Sequence, residues 1–297
     1  MANTPQRFLE KIREAKEKQL KKLDLSCDWN SDDKKKLTEI PAEVFELQWL
    51  EVLNLSFNQL TTLPEAIARL QELTSLNLSF NQLTTLPEAI ARLQLYLSGN
   101  QLTTQPEAIA RLPQLTSLDL RNNQLTTQPE AIARLPQLTS LDLSFNQLRT
   151  LLEAIARLPQ LTSLDLSGNQ LTTLPEAIAR LPQLTSLNLS HNRLTTLPEA
   201  ITRLPQLTSL DLSYNRLTTL PEAIARLPQL TSLDLRDNPI EKPPLEIVEQ
   251  GIDAIRDYFR QLETEGTDYL YEAKESILPR NCYLLINPPI NGMKPTT

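Results

Sequence analysis

Leucine falls along this chain in a fixed cadence. The unit LPQLTSLDLSxNQLTTLPEAIAR returns every 23 residues through most of the sequence. Its asparagine is the simplest ruler: Asn58, Asn81, Asn100, Asn123, Asn146, Asn169, Asn192, Asn215 and Asn238. The intervals are 23, then 19, then 23 six times. Nine regular units result. A tenth, degenerate unit precedes them, with Leu20, Leu23 and Leu25, a charged insert at Asp32-Asp33-Lys34-Lys35-Lys36, and LTEIP at Leu37 to Pro41.

Two periodicities alternate within each unit. In SLDLS, leucines two apart, such as Leu118 and Leu120, share one side of a short strand. In LPEAIARL the spacing suits a helical turn. Pro175 suits its first position, where no N–H bond is lost. Ala177, Ile178 and Leu181 would point inward, with Glu176 and Arg180 four apart on the outer face. Stacked units would pair their strands into one parallel sheet with a step of about 4.8 Å. Ten strands span on the order of 45 Å. Helices are wider than strands, so the strand side is expected to be concave. The asparagine, placed where the chain leaves the strand, is expected to bond backbone groups of the turn and to stack as a ladder.

The pattern L-x-x-L-x-L-x-x-N-x-L resembles the leucine-rich repeat, of the 23-residue LPxxI type found in bacteria and plants. The resemblance covers about residues 20–240. It implies an α/β fold: a right-handed horseshoe solenoid with a parallel concave sheet, short convex helices and helical caps at both ends. Residues 1–22 read as the N-terminal capping helix, with Phe8, Leu9, Ile12 and Ala15 on one face. Its basic polar side, Arg7 to Lys22, also suits a membrane surface. The small apolar face and the direct run into the first repeat favour the cap. Residues 23–240 form the solenoid. Pro239, Pro243 and Pro244 break the pattern, and residues 241–266 read as a C-terminal capping helix or linker, helical over Leu245–Glu263. Residues 267–297 are expected to be an irregular tail.

A narrower resemblance lies in PLEIVEQGIDAIRDYFRQLETEGTDYLYEAK, residues 244–274. It resembles the linker that joins repeats to the GTPase module in bacterial Roco proteins. There an EAK segment leads into a strand and a phosphate-binding loop. Here Glu272-Ala273-Lys274 is followed by ESILPRNC, with no glycine-rich loop. The family's nucleotide-binding residues have no counterparts to carry over.

Composition narrows the function. The chain has 29 Lys and Arg against 36 Asp and Glu, a net charge of -7, which argues against nucleic acid as the ligand. Cys27 and Cys282 lie far apart and suit neither a metal nor a disulfide framework, as in a reducing cytoplasm. No signal-peptide core or membrane-length apolar run stands out. No catalytic, metal or cofactor site is expected, and no small-molecule substrate. The leading expectation is a monomeric, non-catalytic scaffold that binds a protein on its concave face. The alternatives are the sensor arm of a truncated Roco-type signalling GTPase and a decayed or structural array without a dedicated partner.

The non-leucine strand positions form rows on that face. One row is serine, from Ser75 to Ser232. The next holds Asn54, Asn77, Tyr96, Asp119, Asp142, Asp165, Asn188, Asp211 and Asp234. A third holds Ser56, Ser79, Ser98, Arg121, Ser144, Ser167, Ser190, Ser213 and Arg236. The last is Phe57, Phe80, Gly99, Asn122, Phe145, Gly168, His191, Tyr214 and Asp237, and it varies most. Asp119, Arg121, Asn122, Asp142, Asp165, Asn188, His191, Asp211, Tyr214, Asp234 and Arg236 are the candidate protein-binding residues. The aspartates would favour a basic partner segment; solvation of a bare strand face would also account for them. Phe57, Phe80 and Phe145 are expected to pack inward as a spine, and His191 to be plain surface variation. Three departures stand out. Gln105 and Gln128 replace a leucine in adjacent repeats and could bond each other. Leu152 replaces a proline. The 19-residue interval predicts a kink or shortened outer helix near residues 88–96.

Overall fold

The computed structural model describes residues 4–87, 94–103, 107–127, 130–151 and 153–277. Gln105, Gln128, Leu152 and Cys282 lie outside the described residues, as does most of the segment where the kink was expected.

Ten three-residue strands form one parallel sheet in chain order. They are β1 (Lys22–Asp24), β2 (Val52–Asn54), β3 (Ser75–Asn77), β4 (Gln94–Tyr96), β5 (Ser117–Asp119), β6 (Ser140–Asp142), β7 (Ser163–Asp165), β8 (Ser186–Asn188), β9 (Ser209–Asp211) and β10 (Ser232–Asp234). Equivalent positions pair: Leu141 lies opposite Leu164, and Asp142 opposite Asp165. A one-residue slip would turn every buried leucine to solvent, so the register is firmly specified. The leucines on either side of each strand's acidic or amide position, Leu118 and Leu120 or Leu164 and Leu166, are almost wholly buried. They belong to one continuous core that runs from Phe8 to Phe259.

The short interval leaves the sheet in place at its first join. Leu76 pairs with Leu95 in the ordinary register, whereas β4 and β5 retain only the pair Tyr96–Asp119.

The short helices expected on the outer side are of the 3-10 type. Glu65–Arg69 and Glu176–Arg180 are typical. Ile67 N–H donates to the Pro64 carbonyl at 3.1 Å, and Leu70 N–H to the Ile67 carbonyl at 3.1 Å. The proline stands one place earlier than predicted. Pro175 is the extended residue before the helix, with φ -71° and ψ 148°. Five residues between proline and a buried leucine suffice for i→i+3 bonds and leave little room for an α-helix. At three residues per turn, positions four apart such as Glu176 and Arg180 are rotated off one another, so the expected pairing loses its geometry.

The N-terminal helix α1 (Gln6–Glu17) buries Phe8, Ile12 and Ala15. Lys11 Nζ donates to the Asp24 carbonyl at 2.7 Å and Arg7 to the Lys35 carbonyl at 2.9 Å, which ties the helix to the first repeat. Cys27 is buried beneath it, and burial pushes its thiol pKa up. The C-terminal end departs from the expected single helix. A short α2 (Leu245–Val248) stops at Gly251, whose φ of 92° suits glycine, and α3 (Ile252–Ile277) follows. Ile252, Ile255 and Phe259 are buried against the last repeat. Arg256 donates to the Leu227 and Leu230 carbonyls at 3.1 and 2.9 Å, which ties α3 to the last repeat. α3 passes through Gly266 into the stretch expected to be irregular. One interior glycine costs roughly 1 kcal/mol, which the helix formers around it outweigh.

Candidate functional site

Each unit crosses from strand to outer turn through five residues, of which four polar or turn positions have separate duties. In the sixth regular unit they are Asp165, Ser167, Gly168 and Asn169, with Leu166 buried between the first two.

The asparagines are the deepest. Asn146 Nδ2 donates to the carbonyls of Leu143 and Ser144 in its own repeat, at 3.1 Å each, and to Leu120 in the preceding repeat at 3.0 Å. Its Oδ1 accepts the N–H of Leu125, also in the preceding repeat, at 3.0 Å. The same four bonds recur from Asn58 through Asn81, Asn100, Asn123, Asn169, Asn192 and Asn215 to Asn238. At the ends, for example, Asn58 donates to the Leu25 carbonyl and Asn238 to that of Leu212, both at 2.9 Å. Asn238 alone is only partly buried.

The acidic row has a structural duty that spacing did not reveal. Asp142 Oδ1 accepts the backbone N–H of Ser144 at 2.9 Å and its hydroxyl at 2.6 Å. Asp165, Asp211, Asp119 and Asp234 accept the N–H two residues on in the same way. Asn54, Asn77 and Asn188 do it with an amide oxygen. These are Asx turns, so one oxygen of each side chain is committed to the fold. Asn188 also donates to the second oxygen of Asp165 at 3.2 Å. Burial, then the neighbouring Asp142 charge, raises the pKa of Asp119 against the pull of Arg121. Hydrogen bonds from Arg236 lower that of Asp234.

The third row is a correction. Ser56, Ser79, Ser98, Ser144, Ser167, Ser190 and Ser213 are buried under the turn and are unavailable on the concave surface. Only Arg121 and Arg236 stand out from that row. Each folds back on the aspartate of its own repeat, Arg121 Nε at 3.3 Å from Asp119 and Arg236 at 2.5 Å from Asp234.

The fourth row is corrected more sharply. Every member, from Phe57 to Asp237, has φ between 52° and 64°. Glycine, asparagine and aspartate tolerate that left-handed region; bulky residues rarely adopt it. Phe80, Phe145, His191 and Tyr214 hold it by lying along the row rather than by packing inward, whereas Phe57 both stacks and packs on the core. Phe57 and Phe80 stack with centroids 4.5 Å apart, and His191 and Tyr214 at 4.1 Å. Phe80 and Phe145 lie over the next repeat's glycine: a Cβ at Gly99 or Gly168 would come within 2.5 or 2.7 Å of the ring. Phe57 is partly buried against the core. Phe80, Phe145 and Tyr214 remain 40%, 57% and 48% exposed, and His191 and Asn122 are exposed as well.

A further ladder was missed. Thr139 Oγ1 donates to the Thr116 carbonyl at 2.9 Å, and Thr162, Thr185, Thr208 and Thr231 continue the series. The unvarying threonine of LTSL was its signal in the sequence.

The candidate residues thus lie on one surface. Asp142, Asp165, Asn188 and Asp211 line its middle, with Phe145, His191 and Tyr214 beside them. Asp119–Arg121 with Asn122, and Asp234–Arg236, stand at its two ends.

Comparison with known proteins places this architecture. A sequence model described as leucine rich repeat matches residues 18–83, 94–148, 126–171, 152–194 and 182–240. A leucine-rich-repeat protein of Leptospira interrogans is 38% identical with a TM-score of 0.70, covering 77% of this chain and 57% of that one. An internalin of Listeria monocytogenes is 26% identical with a TM-score of 0.61, covering 75% and 63%. The plant peptide hormone receptor RGFR1, in complex with RGF2, is 26% identical with a TM-score of 0.56, covering 76% and 41%. The chain therefore spans less than two thirds of each of these structures. No protein of curated function matches it. The matched repeats, the ten-stranded parallel sheet and these likenesses together establish that the chain belongs to the leucine-rich-repeat family, whose domains generally serve as scaffolds for binding other proteins.

Proposed function

We propose that this chain is a non-catalytic scaffold, monomeric and cytoplasmic, that binds a basic segment of another protein across β6 to β9. The observation that carries the reading is the distribution of charge along the face. At each end of the aspartate row an arginine neutralises its own repeat's carboxylate. Between them Asp142, Asp165 and Asp211 have serine at the corresponding position, Ser144, Ser167 and Ser213. Three strand steps separate Asp142 from Asp211, about 14 Å. Extended chain covers that distance in about four residues. Exposed Phe145 and Tyr214 flank these carboxylates and offer ring faces to arginine or lysine.

The test keeps the turns intact. Asp142→Asn, Asp165→Asn and Asp211→Asn together remove the charge and retain the Oδ1 acceptor, as Asn188 does for Ser190. The triple variant should fold normally and lose the partners that the natural chain captures from a native lysate. If every partner survives, the reading fails.

A second reading, the sensor arm of a Roco-type signalling protein, is supported by α3. The helix is continuous through Glu272-Ala273-Lys274, as a stiff arm to a following module would be. A phosphate-binding loop in the reading frame beyond residue 297 would sustain it; a stop codon there would end it.

A further inference from the structure

The two ends of the sheet are closed differently. At β1, α1 covers the first repeat and Leu23 is buried. At β10 the apolar row comes partly into the open. Leu233 is half-buried, whereas its counterparts Leu187 and Leu210 are 1% exposed. Beside it lies a groove of about 670 Å³. β10 forms one wall, and Ile240, Leu245 and Val248 contribute to the other. Leu245 is 54% exposed.

The backbone specifies the occupant. In the preceding repeat, Leu212 N–H donates to the Asp234 carbonyl at 2.8 Å and Tyr214 N–H to the Arg236 carbonyl at 2.9 Å. Thr231 and Ser232 N–H return bonds to the Thr208 carbonyl. The counterparts on β10 are the N–H groups of Leu235 and Asp237 and the carbonyl of Thr231. Among the described residues no strand lies beyond β10 to meet them. The rim carries Asp237 and Glu249, with Asp234 and Arg236 paired to each other.

We propose that this groove receives an extended segment of a partner protein as an eleventh parallel strand. Its leucine-like side chains, two apart, would cover Leu233 and Leu235, and a lysine or arginine would face Asp237 and Glu249. The surface is distinct from the one between β6 and β9 and does not depend on it. Strand addition to a sheet edge takes affinity from main-chain bonds and specificity from alternate side chains.

The probe is a blocked peptide LTSLNLSK, the chain's own strand motif as it stands at residues 184–190 followed by a lysine in register with Asp237, titrated into the full chain. The Leu235 and Asp237 amides should shift in NMR spectra and exchange with deuterium at least tenfold more slowly. A peptide with proline at its second and third positions lacks the donors for the Thr231 carbonyl and should bind at least tenfold more weakly. Leu245→Glu, at an exposed site, should weaken the parent peptide to a similar degree and leave Asp142→Asn capture experiments unaffected. Three results would overturn the proposal: binding that survives the prolines, no shift at millimolar peptide, or protection of both amides before peptide is added. Protection that instead rises with protein concentration would mean a second copy fills the edge, and would overturn it too.

Discussion

Asn146 and Phe145 are neighbours in the chain and opposites in every other respect. The asparagine is buried, satisfied on all sides and repeated in all nine units. The row to which Phe145 belongs is largely exposed, varies from repeat to repeat and shares only a left-handed backbone. The difference separates two kinds of constraint. Where a side chain closes hydrogen bonds to two repeats, only one residue type fits. Where the fold demands a backbone angle alone, glycine, asparagine and aspartate satisfy it, and aromatics do so when a ring or a bare glycine lies alongside. An aromatic at positive φ is a conformational cost of about 1 kcal/mol or more, and its persistence at exposed positions supports a role in recognition.

The contrast can be broken from either side. The largest effect belongs to the ladder. Asn146→Ala strands one N–H and up to three carbonyls in the interior, at about 1–3 kcal/mol for each group left unpaired. A loss of about 3–5 kcal/mol is expected in urea unfolding, and a loss below about 1 would show that the ladder is incidental. Gly168→Ala comes next, at about 1–2 kcal/mol, because the positive φ and the Phe145 ring both resist a Cβ. In the background of Phe145→Asn the ring is gone and part of that penalty should vanish, so a double-mutant cycle measures the stacking contact directly. Phe145→Asn alone should change stability by no more than about 0.5 kcal/mol. It should nevertheless weaken partner capture severalfold; unchanged capture would reduce the aromatic row to backbone convenience.

The smallest effect tests the aspartate row. Burial disfavours the Asp119 carboxylate in the folded state. A group whose pKa rises on folding withholds stability once pH passes that raised value, and withholds none below its unfolded pKa. Asp119→Asn keeps the turn and should therefore stabilise the chain by roughly 0.5 kcal/mol or less at pH 7. The gain should fade as pH falls through the ordinary carboxylate range. Thermal unfolding followed across that range would detect the opposite sign.

Much of the fold was legible because leucines two apart and an asparagine at a fixed offset each have one reading. Strand order, register and the inward leucines follow from repetition alone. The site was less so. Ser144 sits in the same alternation as Asp142, yet is buried, because the chain has already left the strand and begun to turn. Strict alternation cannot report that. Phe145 was misplaced because hydrophobic character suggests the interior, whereas its direction is fixed by a positive φ invisible in one residue. The glycines and the asparagine of the same row held the clue, since they share a tolerance and not a polarity.

One irregularity has a consequence for how such a surface changes over generations. Asn81 and Asn100 are four residues closer together than every other neighbouring pair of asparagines. Even so, Asn100 reaches the Leu78 carbonyl at 3.0 Å, as its counterparts do. The shorter interval thus leaves the asparagine ladder and the pairing of β3 with β4 intact. Gain or loss of a whole unit, in contrast, moves one aromatic relative to the next by a fixed step. Partners of this face would therefore be exchanged in whole-repeat increments: recombination sets the reach of the contact, and point mutation in the varied row sets its chemistry.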